Sequence, residues 1–190
     1  MHNLFLGTGK RVMQVWINQG VLNKKDFQAI EKIVAKIKVP HHVGRISLKI
    51  ASSYSGFTAD EWRNWITIFS PVALKGLLDP IHLRCWLLFV RACYLICYRI
   101  ITTEVIDEIH LYLVQFCKLF EDLYGADACT PNMHLHLHLK ECLLNYGPVH
   151  GFWCYGFERF NGRIEKYHTN NQSIEVQLMR KFLRETDVMA

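Results

Sequence analysis

The chain has 190 residues, 51% of them hydrophobic and 21% charged, which is enough apolar material to bury a core and excludes an intrinsically disordered segment. A net charge of +5 admits a polyanionic partner without requiring one. The seven cysteines are an odd number, include no CxxC pair and fall mostly in apolar helical contexts, so they argue for a reducing compartment, cytosol or nucleus, and against a disulfide framework.

Taken in chain order, nearly every segment reads as helix. Residues 4–19 place Leu4, Val12, Val15 and Trp16 at helical spacing and end near Gly20. A second helix is expected over 26–38, with Phe27, Ile30, Ile33, Val34 and Ile37 on its apolar face and Pro40 as its stop. Residues 40–57 read as a long connection, and the few ambiguous strand signals of the chain lie at 43–50. Thr58-Ala59-Asp60-Glu61 is a capping-box signature opening a helix that buries Trp62, Trp65, Ile66 and Phe69. Pro71 and Pro80, following Ser70 and Asp79, mark two further helix starts.

The span 80–101 is the most membrane-like, yet it carries Arg84, Arg91 and Arg99, which are costly in hydrocarbon. At offsets of seven and fifteen the three arginines fall in one sector of a helix, so the span is expected to be a core helix with a basic stripe. Residues 103–123 give the cleanest amphipathic pattern, closed by Gly125. Residues 131–146, 152–167 and 173–185 complete a mainly α chain, with no repeat and no linker at which to divide 1–190.

Two places could carry chemistry. In Phe157-Glu158-Arg159-Phe160-Asn161-Gly162 a carboxylate stands inside an aromatic run. Phe157, Phe160, Ile164 and Tyr167 recur at steps of three and four and are expected to form a buried stripe, with Glu158, Gly162 and Glu165 on the adjoining face. Gly162 costs about 1 kcal/mol of helix stability relative to Ala. It leaves open space above Glu158 where a metal or a phosphate can approach, flanked by Arg159 and Arg163. A plainer account has Glu158 paired with Arg163 or another nearby base and Gly162 permitting close helix packing. Two-metal phosphoryl transfer needs several carboxylates, and spacing assigns no second one to Glu158.

The other place is His134, His136 and His138, followed by Cys142. On a helix, His134, His138 and Cys142 share one face at steps of four, and His136 points away. His and Cys at this spacing can chelate zinc, with His2 as a further ligand. The alternative is a half-buried helix whose leucines at 135, 137, 139, 143 and 144 pack and whose histidines are hydrogen-bonded. Trp62, Trp65, Trp86 and Trp153 read as core. Gly7-Thr8-Gly9-Lys10 lacks the Walker A spacing, and no helix-turn-helix or zinc-finger pattern is present.

Met1-His2-Asn3-Leu4-Phe5-Leu6-Gly7-Thr8-Gly9-Lys10 and residues 62–78, 85–93, 119–146 and 152–183 together resemble the C-terminal half of CACTA-type (En/Spm) DNA transposases. The likeness is most specific over Cys129-Thr130-Pro131-Asn132-Met133-His134, through Gly147-Pro148, and over Phe157–Gly162. It implies an RNase H-like enzyme whose Asp-Asp-Glu triad holds two divalent ions, usually Mg2+, with a helical insertion between the second Asp and the Glu. On that resemblance Glu158 is the third catalytic carboxylate and a Mg2+ ligand of the full enzyme, and Arg159, Arg163 and Lys166 are DNA-backbone candidates. Residues from about 20 to 130 are then the insertion, and about 131 to 190 the Glu-bearing C-terminal helical segment, with the RNase H-like strands largely absent.

Members of the wider superfamily keep zinc-binding histidines shortly before the Glu, where His134 and His138 stand, with His2 as a candidate partner. Family members commonly carry an Asp two residues before Met-His-Asn, whereas this sequence starts at that Met and includes neither catalytic Asp. The expectation is therefore a transposase segment inactive by itself. The alternative is a non-catalytic helical module that binds DNA backbone or protein. The implied partners are transposon-end DNA and either a second copy or the N-terminal transposase portion, in the nucleus and without a membrane.

Overall fold

The computed structural model describes residues 3–41, 43–44, 46–170 and 172–189, with their side chains except at 51, 158, 159 and 186–189. Every regular element among these residues is helical, and the segment around 43–50 forms no strand. Packing separates two compact units, Met1–Phe152 and Trp153–Ala190. The division falls inside the aromatic run 147–162, shortly after Gly147-Pro148.

The larger unit opens with a π-helical stretch, Asn3–Thr8, running into α1 (Gly9–Asn18), and buries Leu4, Phe5, Val12, Met13, Val15 and Trp16. α2 (Lys24–Lys36) starts two residues before the position expected from its apolar pattern, because Asn23 caps it. The Asn23 side chain accepts from the Lys25 and Asp26 amides at 2.8 and 3.3 Å, and Asp26 accepts from the Asn23 amide at 2.8 Å. Apolar periodicity begins only at Phe27, so it does not register the cap. The connection that follows holds α3 (Ile50–Ser53) and a 3₁₀ turn, Tyr54–Gly56. It is pinned by buried Ile46, Ile50 and Phe57, and by the buried Asn64 amide, which donates to the Gly44 carbonyl at 3.1 Å.

α4 (Ala59–Asn64) begins on the expected box: the Thr58 amide donates to Glu61 at 2.9 Å and the Glu61 amide to the Thr58 hydroxyl at 3.3 Å. The expectation that Pro71 starts a new helix is corrected. α4 runs through a π-helical turn, Trp65–Phe69, straight into α5 (Ser70–Ala73), and Pro71 sits inside that run. Proline lacks the amide hydrogen and its ring crowds the carbonyl four residues earlier, and a widened turn in front of it accommodates both effects. The hydroxyls of Ser70 and Thr67 donate to the Ile66 and Arg63 carbonyls at 3.1 and 2.8 Å, so carbonyls in the widened turn keep partners.

α6 (Pro80–Ile96) and α7 (Thr103–Tyr124) form an antiparallel hairpin at the centre of this unit. Phe89 meets Phe116 at 4.9 Å between ring centroids, and Trp86 meets Trp16 of α1 at 5.3 Å. α7 stops at Gly125, whose φ of +85° is a conformation that a side chain resists. Of the expected basic stripe, Arg84 and Arg91 are exposed on α6, while Arg99 is exposed beyond the helix end. Among the described residues no helix is long and apolar enough to cross a membrane.

The expected single helix over 131–146 is corrected to three pieces: α8 (Pro131–Leu135), a 3₁₀ turn (His136–His138) and α9 (Leu139–Tyr146). At this tightened turn His136 is buried in the core while His134 and His138 stay in solvent. In the smaller unit, α10 (Tyr155–Ile164) is followed by α11 (Ile174–Met189), and Phe160 meets Phe182 edge-on at 5.4 Å. The expected buried stripe on α10 is also corrected, since Phe157 is 73% exposed and Phe160 42%. A single companion helix covers only one side of α10, so a stripe spread around its flank is not enclosed.

Gly9 is where the N-terminal helix crosses α4. A Cβ there would lie 2.9 Å from Ile66 Cδ1 and 3.0 Å from Trp62 Cε3, both side chains fully buried. Gly9→Ala gains about 1 kcal/mol in helix propensity, while overpacking costs about 1–3 kcal/mol. Net destabilisation in urea unfolding is the expected result. In an Ile66→Val background, which lacks Cδ1, the same change should cost less. An equal cost in both backgrounds would place the strain elsewhere.

Candidate functional site

The Glu158 and Arg159 side chains lie outside the described residues, so the α10 site is built from what surrounds them. Among the described residues nothing lies within 4 Å of where a Cβ on Gly162, one turn on, would stand. Arg163 is committed within its own unit: its Nε and Nη2 donate to Glu185 Oε2 at 3.1 and 2.7 Å, and the Tyr167 hydroxyl donates to the same oxygen at 2.7 Å. Donation from Tyr167 and Arg163 holds the Glu185 carboxyl below its ordinary range, and the carboxylate in turn raises both donors. Neutralised in this way, Arg163 is poorly placed to meet a phosphate, whereas Lys166, just beyond the helix, is exposed. The residue closing the cluster, Glu185, lies 22 positions from Arg163, a partnership no short-range spacing signals.

The histidine site is better formed. His134 and His138 are exposed, their rings edge-to-face at 5.2 Å and their Nε2 atoms 3.4 Å apart. Two nitrogens each about 2.0–2.1 Å from a tetrahedral zinc stand roughly 3.3 Å apart, so the pair matches two corners of such a site. Glu141 Oε2 lies 3.4 Å from His138 Nδ1, placed to orient that imidazole. Further corners are not supplied here: among the described residues no three His, Cys, Asp or Glu side chains converge as a metal site, and His2 lies outside them. The Cys117 thiol, 3.7 Å from the Met133 carbonyl, suits packing better than ligation, because burial pushes it up to about 11 and keeps it protonated.

Three polar threads, none signalled by spacing, hold the frame around these residues. The Trp16 indole donates to the Tyr124 hydroxyl at 2.7 Å, leaving the Tyr124 proton for His82 Nδ1 at 2.8 Å. Burial pushes the Tyr124 hydroxyl pKa well up, so the phenol stays a donor. Arg11 spends its guanidinium on the Ala128 and Asp127 carbonyls at 2.9 and 3.0 Å. His150 Nε2 donates to the Cys97 carbonyl at 2.9 Å, fastening the turn after α9 to the end of α6.

His136, which sequence placed only on the far side from the exposed pair, is the buried member of the run. Its Nε2 lies 3.4 Å from Thr8 Oγ1, and among the described residues its Nδ1 has no well-formed hydrogen bond. Burial pushes its pKa down to about 4, outweighing the favourable Asn3 backbone nearby. The unfolded chain titrates near 6.5, so between about pH 6.5 and about pH 4 the unfolded state binds the extra proton and stability falls as pH falls. Full expression of that shift is on the order of 3 kcal/mol. His136→Gln should flatten the fall in urea midpoint between about pH 7 and about pH 5. An unchanged slope would assign the acid sensitivity to other groups.

No family model, curated protein or solved structure matches this chain.

Proposed function

We propose that the chain is the C-terminal, largely helical part of a CACTA-type transposase, and that these 190 residues by themselves bind DNA without cutting it. One observation supports this reading above others. Two blocks of the resemblance, residues 1–10 and 129–148, meet through their described residues: Thr8 lies 3.4 Å from buried His136 across 128 positions, and the Asn3 side chain donates to the Asn132 carbonyl at 3.5 Å at the surface. A domain inserted into another must leave it and return at neighbouring points. The helices between about 20 and 130 depart after α1, where the Gln19 side chain donates to the Tyr124 carbonyl at 3.1 Å, and return at α8, beside the Asn3–Thr8 stretch, so that both ends of the excursion lie along the N-terminal helical run.

On this reading Glu158 is the third carboxylate of a metal site completed by two aspartates from outside these residues. Mg2+ held there would stabilise charge on the attacking and leaving oxygens of a phosphodiester. Within the smaller unit, Glu185 is taken up by Arg163 and Tyr167, so it is not a spare ligand for such a site. Binding would rest on exposed cations, and a nuclear location follows from the same reading.

The test is duplex DNA bearing transposon ends, incubated with Mg2+. Binding that weakens steeply with salt and shows little sequence preference is expected, with no strand cleavage. Cleavage lost on Glu158→Ala would overturn the inactive assignment, and absent or salt-insensitive binding would overturn the DNA reading. The 3.4 Å separation of the His134 and His138 nitrogens favours a second role for the larger unit, as a weak zinc chelate. Calorimetric titration with Zn2+ should show binding that disappears in His134→Ala, and heats equal in both proteins would remove it.

A further inference from the structure

α6 is apolar on two faces. One, with Trp86, Phe89 and Cys93, is buried in the core. The other is a stripe at alternating steps of four and three, Pro80, Arg84, Leu87, Arg91 and Tyr94, prolonged by Tyr98, and every member is exposed. It spreads onto α7, where Leu111 is 53% exposed and Tyr112 joins Leu83, Leu87, Leu88 and Arg91 in lining an open cleft of about 540 Å3. A helix apolar on both sides is ordinarily covered on both sides, and steps of four and three are those by which helices pack side by side.

Charge says what covers it. α6 presents Arg84 and Arg91 outward, while α7 presents Glu104 and Glu108 alongside. Arg91 and Glu108 stand 4.0 Å apart, the limit of an ion pair, with side chains 54% and 39% exposed, so each has room for another partner. We infer that this face of the α6–α7 hairpin binds the same face of a second copy of the chain, about a two-fold axis parallel to the helices, so that α6 of each copy lies on α7 of the other.

Half a turn about that axis keeps every residue at its level along the bundle. Arg91 then meets the partner's Glu108, and the reciprocal pair forms on the other side. The apolar middle of α6, Leu87 and Leu88, comes within a turn of the partner's Leu111 and the partner's Tyr112. The face is therefore self-complementary in charge and in apolar surface, as an isologous contact requires. A nucleic acid would suit the arginines but not the glutamates beside them, nor Leu87 and Leu111.

The 17 residues of α6 span about 25 Å. Two helices about 10 Å apart then offer roughly 500 Å2 per copy, so the total sits at the lower edge of specific interfaces and implies a dimer that dissociates on dilution.

Sedimentation equilibrium of the intact chain over a concentration series tests this. A monomer–dimer equilibrium is expected, shifted to monomer by Leu87→Asp at unchanged helix content. Arg91→Glu and Glu108→Arg should each abolish self-association, because each sets like charges face to face, yet an equimolar mixture of the two should form the one-to-one dimer. A monomer at every concentration would overturn the inference. So would a dimer that survives all three substitutions, or two charge-reversed chains that fail to pair with each other.

Discussion

A closed circuit of aromatic contacts supports the larger unit. Trp16 meets Trp86 at 5.3 Å, Trp86 meets Phe89 at 5.5 Å and Phe89 meets Phe116 at 4.9 Å. Phe116 meets Phe120 at 5.6 Å and Phe120 meets Tyr124 at 4.7 Å, and Tyr124 returns to Trp16 through a 2.7 Å hydrogen bond. Each such pair is worth about 0.5–1.5 kcal/mol beyond the burial of its surface. The circuit ties α1 to both arms of the α6–α7 hairpin. His136, stacked on Phe89 at 6.2 Å, adds the turn between α8 and α9 to the same circuit. The two candidate histidine ligands are therefore held on the rim of the core by the buried histidine between them.

That core treats its polar atoms unevenly. The indole groups of Trp16 and Trp86 have partners, the latter donating to Ser70 Oγ at 2.8 Å. Those of Trp62 and Trp65 are buried with no partner among the described residues. An unmade buried hydrogen bond costs about 1–3 kcal/mol, close to what burying the ring recovers. The run from α4 to α5, which also contains the π-helical turn before Pro71, thus contributes less stability for its buried area than the hairpin does.

The helical class was legible because apolar residues recur at three- and four-residue steps almost throughout, and local signals with a mechanism, such as Thr58 with Glu61 or Gly125 after α7, fell where the structure has them. What escaped depends on packing partners distant in sequence. Nothing near Pro71 tells that a widened turn will carry the helix past it, and nothing near His136 tells that Thr8 awaits it 128 positions away. The candidate sites divide along the same line. The closeness of His134 and His138 follows from their spacing alone, whereas Arg163 looked like a phosphate contact until Glu185, from the far side of a turn, met it at 2.7 Å. Phe157 failed for the converse reason, since periodicity reports an apolar face but not whether a second layer covers it.

Much of the chain's positive charge is taken up by partners within the fold. Lys10 donates to the Ser55 carbonyl at 3.0 Å, Arg63 pairs with Asp60 at 2.8 Å and Lys140 with Asp107 at 2.7 Å. With Arg11 and Arg163 similarly engaged, much of the net +5 is not presented as a single face. α2 differs: Lys24, Lys25, Lys32 and Lys36 are exposed along it, and Lys38 just past its end. Exposed lysines on one helix are what a phosphate backbone meets first, and each neutralised phosphate adds to the salt dependence of binding. The lysines of α2 thus form a run of exposed cations in the larger unit, whereas the hairpin face sets arginine and glutamate among leucines.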